Sequence, residues 1–223
     1  MELATAVATT TLARQRTLPV AEPLRPLLPE GGLTRGRVVA CRGVAAASLT
    51  LALTTEATRA GAWLALVDVP WLGVEAAAEL GVPLERLVRI EAGGAGSEAG
   101  LWADLVAAVL DGFELVVTRV PRRVNAGVLR RVQSRVQARE AVLLAVGDPG
   151  PLTADVAMEA STPVWEGVED GAGHLRGRRI TVVSSGRRIP RPQRADLWLP
   201  GPDGVLAAVE SSSATEPLLR SVG

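Results

Sequence analysis

The sequence predicts an α/β fold: a mostly parallel β-sheet flanked by helices, with antiparallel strands at the C-terminal end. Three observations predict it. Between residues 37 and 146, short apolar, β-rich runs alternate with longer amphipathic stretches, the pattern of successive βαβ units. The run Ala62–Val67 is apolar throughout, as a strand buried on both faces is. Beyond Gly147 the chain changes to loops and short strand candidates separated by turn residues, which reads as antiparallel pairing.

The elements follow in order. Gly31-Gly32-Leu33 makes a turn, Arg37–Cys41 a strand, and Ser48–Ala60 a helix ended by Gly61. Ala62–Val67 is the next strand, Leu72–Leu80 a short helix stopped by Gly81 and Pro83, and Leu87–Ile90 a strand. A small-residue loop spans 93–100, and Leu101–Leu110 reads as a helix. After the strand Glu114–Thr118, Asn125 caps a helix running to about Arg139. On it Val128, Val132 and Val136 recur at i, i+4, i+8 beside Leu129, while Arg131, Arg135 and Arg139 stack on another face. Ala141–Val146 is a strand, and Pro163–Glu166, Arg179–Ser184 and Ala195–Leu199 are shorter candidates.

Length and composition narrow the function. A chain of 223 residues with 48% hydrophobic and 22% charged residues supports one core, expected over 18–208, with mobile tails at 1–17 and 209–223. No apolar run approaches the roughly 20 residues of a membrane span, and the N-terminus lacks the pattern of a secretory signal. A cytoplasmic protein without a membrane partner is expected. One cysteine, Cys41, and one histidine, His174, leave too few soft ligands for a zinc or other transition-metal site. Cys41 suits a buried strand position, and His174 sits in a Gly-rich loop with no evident partner. Every basic residue is arginine, and charge is segregated although the net is zero. Residues 119–139 and 176–194 each carry seven arginines and no acid, and 140–175 carry seven acids and no arginine, which implies charged faces.

The segment Gly43-Val44-Ala45-Ala46-Ala47-Ser48-Leu49-Thr50 lies where a phosphate-binding loop would join the first strand to the first helix. A working loop, G-x-x-x-x-G-K-[ST], uses glycines so that backbone N–H groups wrap the phosphates, a lysine to neutralise them and a hydroxyl to hold Mg²⁺. Gly43 and Thr50 fit. Ser48 replaces the second glycine and Leu49 the lysine. With the Gly-Gly-Leu turn before it and the element order after it, this segment makes residues 31–200 resemble the RecA ATPase core. That resemblance implies further parts, and they fail independently. The Mg²⁺-shell carboxylate falls at Thr118, the water-activating glutamate at Pro70, and the nucleotide-sensing glutamine at Asp148. Asp68 survives, where it is expected to cap the following turn. The resemblance thus implies a RecA-like core with a relic nucleotide site, no catalytic residues, no cofactor and no metal. Nucleotide binding without turnover stays open.

The closing segment Arg178–Val183 followed by Ala195-Asp196-Leu197-Trp198-Leu199-Pro200-Gly201-Pro202-Asp203-Gly204, on a lysine-free chain with little N-terminal domain, resembles the actinobacterial mutasome accessory proteins, ImuA-prime. This implies a role in the SOS response, in induced mutagenesis and translesion DNA synthesis, with an ImuB-type polymerase-like protein as partner and a RecA protein as a further candidate. SulA-like division inhibitors, which bind the tubulin-like division protein, share the degenerate core and are the alternative.

Two basic blocks are candidate contact surfaces. Arg119, Arg122 and Arg123 stand where RecA proteins carry a DNA-contacting loop, and can track a phosphate backbone weakly or form a solvated face. The chain has no tyrosine and one phenylalanine, which argues against a base-stacking platform. Arg187, Arg188, Arg191 and Arg194, at a Pro-rigid hairpin, can steer a partner by charge or simply be solvated. Trp63, Trp71 and Trp102 are expected to pack in the core, with an exposed anchor at Trp71 as the alternative. In the tail, Leu218 and Leu219 form a short apolar patch that folds on a partner or has no role.

Overall fold

The computed structural model describes residues 16–91, 99–169 and 172–209. Among them, two short strands, β1 (Thr17–Leu18) and β2 (Leu33–Thr34), pair antiparallel ahead of the main sheet. The main sheet begins with β3 (Arg37–Gly43), followed by helix α1 (Ala46–Arg59), β4 (Leu64–Val67), α2 (Val74–Glu79) and β5 (Leu87–Ile90). Helix α3 (Ala99–Val109), β6 (Leu115–Thr118), α4 (Ala126–Ala138) and β7 (Val142–Val146) complete the alternating part. The C-terminal part is all strand: β8 (Val156–Glu169), β9 (Ala172–Ser185), β10 (Gln193–Trp198) and β11 (Ala207–Ala208).

The sheet runs β11-β10-β9-β8-β3-β7-β6-β4-β5. From β8 to β5 every neighbouring pair is parallel, whereas β8/β9, β9/β10 and β10/β11 are antiparallel. Strand residues alternate between two cores, as the period of two requires. Val39, Cys41, Leu64, Leu66, Leu115, Val117, Leu144 and Val146 face α1 and α2. Val38, Ala65, Val67, Val116, Leu143 and Ala145 face α3 and α4. No helix among the described residues is long and apolar enough to cross a membrane.

Side-chain chemistry explains the helices. On α1, Thr50, Thr54, Thr55 and Thr58 are buried, and each hydroxyl donates to a carbonyl three or four residues earlier, so none is left unsatisfied in the core. On α4, the Asn125 side chain accepts from Gly127 N at 2.7 Å, while Leu129, Val132 and Val136 are buried. On the outer side of α4, Arg135 and Arg139 converge on Asp111, with Arg135 Nε at 2.7 Å and Arg139 Nε at 3.1 Å. The hydrogen bonds from Arg135, together with both positive charges, hold that carboxyl below its ordinary range.

Strand β5 falls where the sequence places it, and the other core strands lie within two residues. Two differences have physical causes. The C-terminal strands are far longer than expected, since Pro163 and Gly167 act within a continuous hairpin rather than ending strands. Register shifts fall between Ser161 and Val164 and between Glu166 and Val168, with Thr162 at φ 47 and Gly167 at φ 96. Helix α1 starts at Ala46, two residues before the expected Ser48, because nothing in Ala45-Ala46-Ala47 resists helix.

Candidate functional site

Strands β3 and β7 lie side by side, and their outgoing connections take opposite faces of the sheet. Helix α1 follows β3 on one face, whereas Leu152, in the segment following β7, packs on the other with α3 and α4. A crevice at the carboxyl ends of such strands is where open α/β sheets bind ligands. Here it is a cleft of ≈ 310 Å³ whose lining includes Gly43, Ala46, Trp71, Arg119, Arg122 and Asp148.

The positions that the sequence comparison aligned with a phosphate loop, residues 43–50, lie in this neighbourhood and are engaged within the protein. Gly43 has φ 87, and a Cβ placed on it would lie 2.0 Å from Ala160 O. Close approach of β8 to β3 therefore requires this glycine whether or not a phosphate ever binds. Because α1 begins at Ala46, the segment between strand and helix is too short to wrap a phosphate chain. Leu49 is fully buried under the sheet. The Thr50 hydroxyl, which the sequence offers to Mg²⁺, is also fully buried, donates to Ala46 O at 2.8 Å and contacts the Cys41 thiol. Burial pushes that thiol up to about 12, with Thr50 opposing the shift. Ser48 is held from the far side: Arg178 Nη2, on β9, donates to its Oγ at 2.9 Å.

The remaining positions follow the same trend. Thr118, at the end of β6, accepts a hydrogen bond from Trp102 Nε1 at 2.9 Å. Pro70 is exposed, and its carbonyl accepts from Arg89 Nη2 at 3.0 Å. Asp148 Oδ1 accepts from Gly150 N at 2.9 Å, closing a local turn. Asp68, two residues before Pro70, adopts φ 52, with its N–H donated to Ile90 O at 3.0 Å. No cluster of three His, Cys, Asp or Glu able to hold a metal occurs among the described residues.

What the cleft does expose is cationic and aromatic. Arg119 and Arg122 line it and are exposed, and Arg123 is exposed beside them. Trp71 is 49% exposed on the same cleft, so the expectation of core packing is corrected: Val69 and Leu72 fill the core there and the indole lies outside. Trp63 is corrected likewise. At the start of β4 it is exposed, edge-on to Phe113 with the Arg86 guanidinium 5.1 Å from its ring centroid. Trp102 is buried as expected.

The second basic set lies at the opposite end of the sheet, so the two sets do not form one surface. Between β9 and β10, Ile189 is buried and anchors a loop on which Arg188 and Arg191 are exposed. Arg187 is 3.6 Å from Asp155, a buried carboxylate that also accepts from Val38 N at 3.1 Å, and Arg194 is 3.6 Å from Asp196. Leu218 and Leu219 lie outside the described residues, as does most of the loop expected at 93–100.

Sequence reasoning missed Arg178. Its Nε donates to Leu199 O at 2.7 Å, its Nη2 to Ser48, and its guanidinium lies 5.1 Å from the Trp165 ring centroid. Partial burial works against its charge, lowering its pKa. Nothing in the run Arg176-Gly177-Arg178-Arg179 distinguishes it from its solvated neighbours, and only the strand parity of β9 would have done so.

Residues 26–151 match the family model of the MT3502 N-terminal domain. An uncharacterized protein of Mycobacterium tuberculosis, Rv3395c, is 32% identical over 170 residues, covering 72% of this chain and 80% of the relative. By these two matches the chain, with its parallel βαβ core, belongs to the MT3502 N-terminal domain family.

Proposed function

We propose that the chain is a non-catalytic, RecA-like accessory protein of SOS-induced mutagenesis and translesion synthesis, binding an ImuB-type polymerase-like partner. The fold supports the RecA-like reading by its parallel core with helices on both faces, its degenerate loop at the switch point and its antiparallel C-terminal strands. The observation that carries the non-catalytic part is the state of the first helical turn. Helix replaces the loop at Ala46, and the lysine position is a buried leucine, so the backbone amides and the cation that phosphoryl transfer requires are both missing from this segment. Loss of all these elements removes selection for turnover and leaves a rigid scaffold with charged ends.

The test has two arms. Purified protein mixed with Mg²⁺ and ATP is expected to release no phosphate above buffer; turnover abolished by Thr50→Val would overturn the non-catalytic reading. Pull-down against an ImuB-type partner is expected to show salt-sensitive binding. Absence of binding, with filamentous cells on overexpression, would transfer the function to division inhibition.

A further inference from the structure

We propose that the outer face of α4, with the turn leading into it, is a track for the phosphate backbone of single-stranded nucleic acid, and that Trp71 receives a base in the cleft where the track begins. Residues 119–139 carry seven arginines and no carboxylate. Arg135 and Arg139 are neutralised by Asp111. The other five, Arg119, Arg122, Arg123, Arg130 and Arg131, are exposed, and none forms an ion pair among the described residues.

The five follow one another in space. Arg119 and Arg122 line the cleft with Trp71, and Arg123 comes next on the turn. Arg130 folds back toward that turn, its Nη2 only 3.9 Å from where a Cβ on Gly127 would stand, in the first turn of α4. From Gly127 a shallow groove of ≈ 500 Å³ continues past Arg131 and Ser134 to Ala138. It covers about 16 Å of helix. The acids nearby are fewer than the cations. Asp148 lines the cleft, where its Oδ1 accepts from Gly150 N. Asp104 on the neighbouring α3 and Glu140 just past α4 pair with none of the five arginines. The excess of positive charge selects a polyanion.

The distribution of apolar side chains decides which polyanion. None of the large apolar side chains that the described residues expose lies within 119–139. A protein interface is built round a desolvated apolar centre, whereas a phosphate backbone asks only for cations at intervals. At the cleft Trp71 is 49% exposed, and an indole beside guanidinium groups is where an unpaired base stacks. Asp148 disfavours a phosphate inside the cleft, so the base enters and the backbone runs outside, over Arg122, Arg123 and Arg130 to Arg131. One indole is one stacking position rather than a platform, so little sequence preference is expected. A duplex, its bases stacked on one another, cannot use it.

Anisotropy of a labelled oligothymidine of about 20 nucleotides, mixed with the full chain, tests the track. Affinity should fall as salt rises, with a log–log slope of roughly −3.5 for five phosphate contacts, shallower by about 0.7 for each arginine removed. Arg130→Glu/Arg131→Glu should cost about ten-fold or more and Trp71→Ala about five-fold or more. Arg25→Glu, at an exposed arginine outside the track, should bind as the unmodified chain, and circular dichroism melts would confirm that each variant is folded. Oligothymidine should also quench part of the tryptophan fluorescence, a quench absent in Trp71→Phe. A folded chain that ignores oligothymidine at low salt, or that binds it undiminished in Arg130→Glu/Arg131→Glu, would overturn the track. Polyglutamate competing as strongly as the oligonucleotide would also overturn it, by making an acidic protein segment the occupant. A duplex bound as tightly as the single strand, with Trp71→Ala indifferent, would overturn the single-strand assignment. The track goes beyond the adaptor reading and does not depend on it. An ImuB-type protein that fails to bind while oligothymidine still requires Arg130 and Arg131 would remove that reading and leave the track standing.

Discussion

Trp102 Nε1 and Thr118 Oγ1 meet at 2.9 Å in the interior, linking helix α3 to the last residue of β6. The position where a hydrolase would present a carboxylate to Mg²⁺ instead satisfies an indole N–H that burial would otherwise orphan. Thr118 is thus committed to packing.

Restoring the missing carboxylate is therefore expected to damage the protein rather than repair it. Thr118→Val leaves the Trp102 N–H without an acceptor and should cost about 1–3 kcal/mol. Thr118→Asp keeps an acceptor but buries a charge without a cationic partner, and should cost more, about 3–5 kcal/mol. Urea denaturation of both variants checks the order. Thr118→Asp more stable than Thr118→Val, with Mg²⁺-dependent stabilisation, would show that a metal site survives.

The phosphate loop yields a paired expectation. Leu49→Lys places an ammonium in a fully buried site and should destabilise at least as much as Leu49→Ala, for which about 2–5 kcal/mol is usual. Titration calorimetry of Leu49→Lys with Mg²⁺ and ATP should show no binding heat, because helix already occupies the loop. Gly43→Ala should also destabilise, by about 1–3 kcal/mol from the positive φ alone, plus the clash with Ala160 O. That loss is expected with or without nucleotide.

The parallel core was legible because its central strands are short, apolar and buried on both faces, so few alternatives compete for residues such as Leu64–Val67 and Leu115–Thr118. The start of α1 was not, since Ala45-Ala46-Ala47 reads equally well as loop filler or as helix, and the motif template favours loop. The long hairpin was hidden because Pro163 and Gly167 are strand breakers in isolation. On an unpaired edge a proline forfeits no ladder bond, and a glycine permits a bulge. Side-chain placement was least readable. Trp71 and Trp102 are the same residue type in similar company, and only the path of the chain past Pro70 puts one outside and the other in the core. What holds Thr118 and Ser48 was not readable either, because their partners, Trp102 and Arg178, come from segments 16 and 130 residues away.

At the other end of the sheet, Asp155 collects Val38 N at 3.1 Å, Arg37 at 3.8 Å and Arg187 at 3.6 Å. Removing this buried carboxylate leaves an N–H unpaired and two guanidinium groups uncompensated. Asp155→Ala should cost about 2–4 kcal/mol, whereas Arg187→Ala, at an exposed side chain, should cost under about 1 kcal/mol. Thermal melts separate the two. Equal losses would mean that Arg187 is structural and unsuited to steering a partner.

The alkaline limb of the stability curve isolates one residue. The chain contains no lysine and no tyrosine, so between pH 9 and about 12 Cys41 is the side chain left to titrate. Its thiol is pushed from 9.0 up to about 12 by burial, so the native state keeps a proton that the unfolded state releases. The sign follows from that difference: stability is full below pH 9 and declines as pH rises through the window toward 12. One proton per molecule corresponds to a slope of about 1.4 kcal/mol per pH unit. Urea unfolding at successive pH values should show this decline in the unmodified chain and lose it in Cys41→Val. Alkylation should agree, with the native thiol protected at pH 8 and modified only at the rate of opening. A decline that persists in Cys41→Val would assign it to the arginine network instead, and rapid native alkylation would contradict the burial itself.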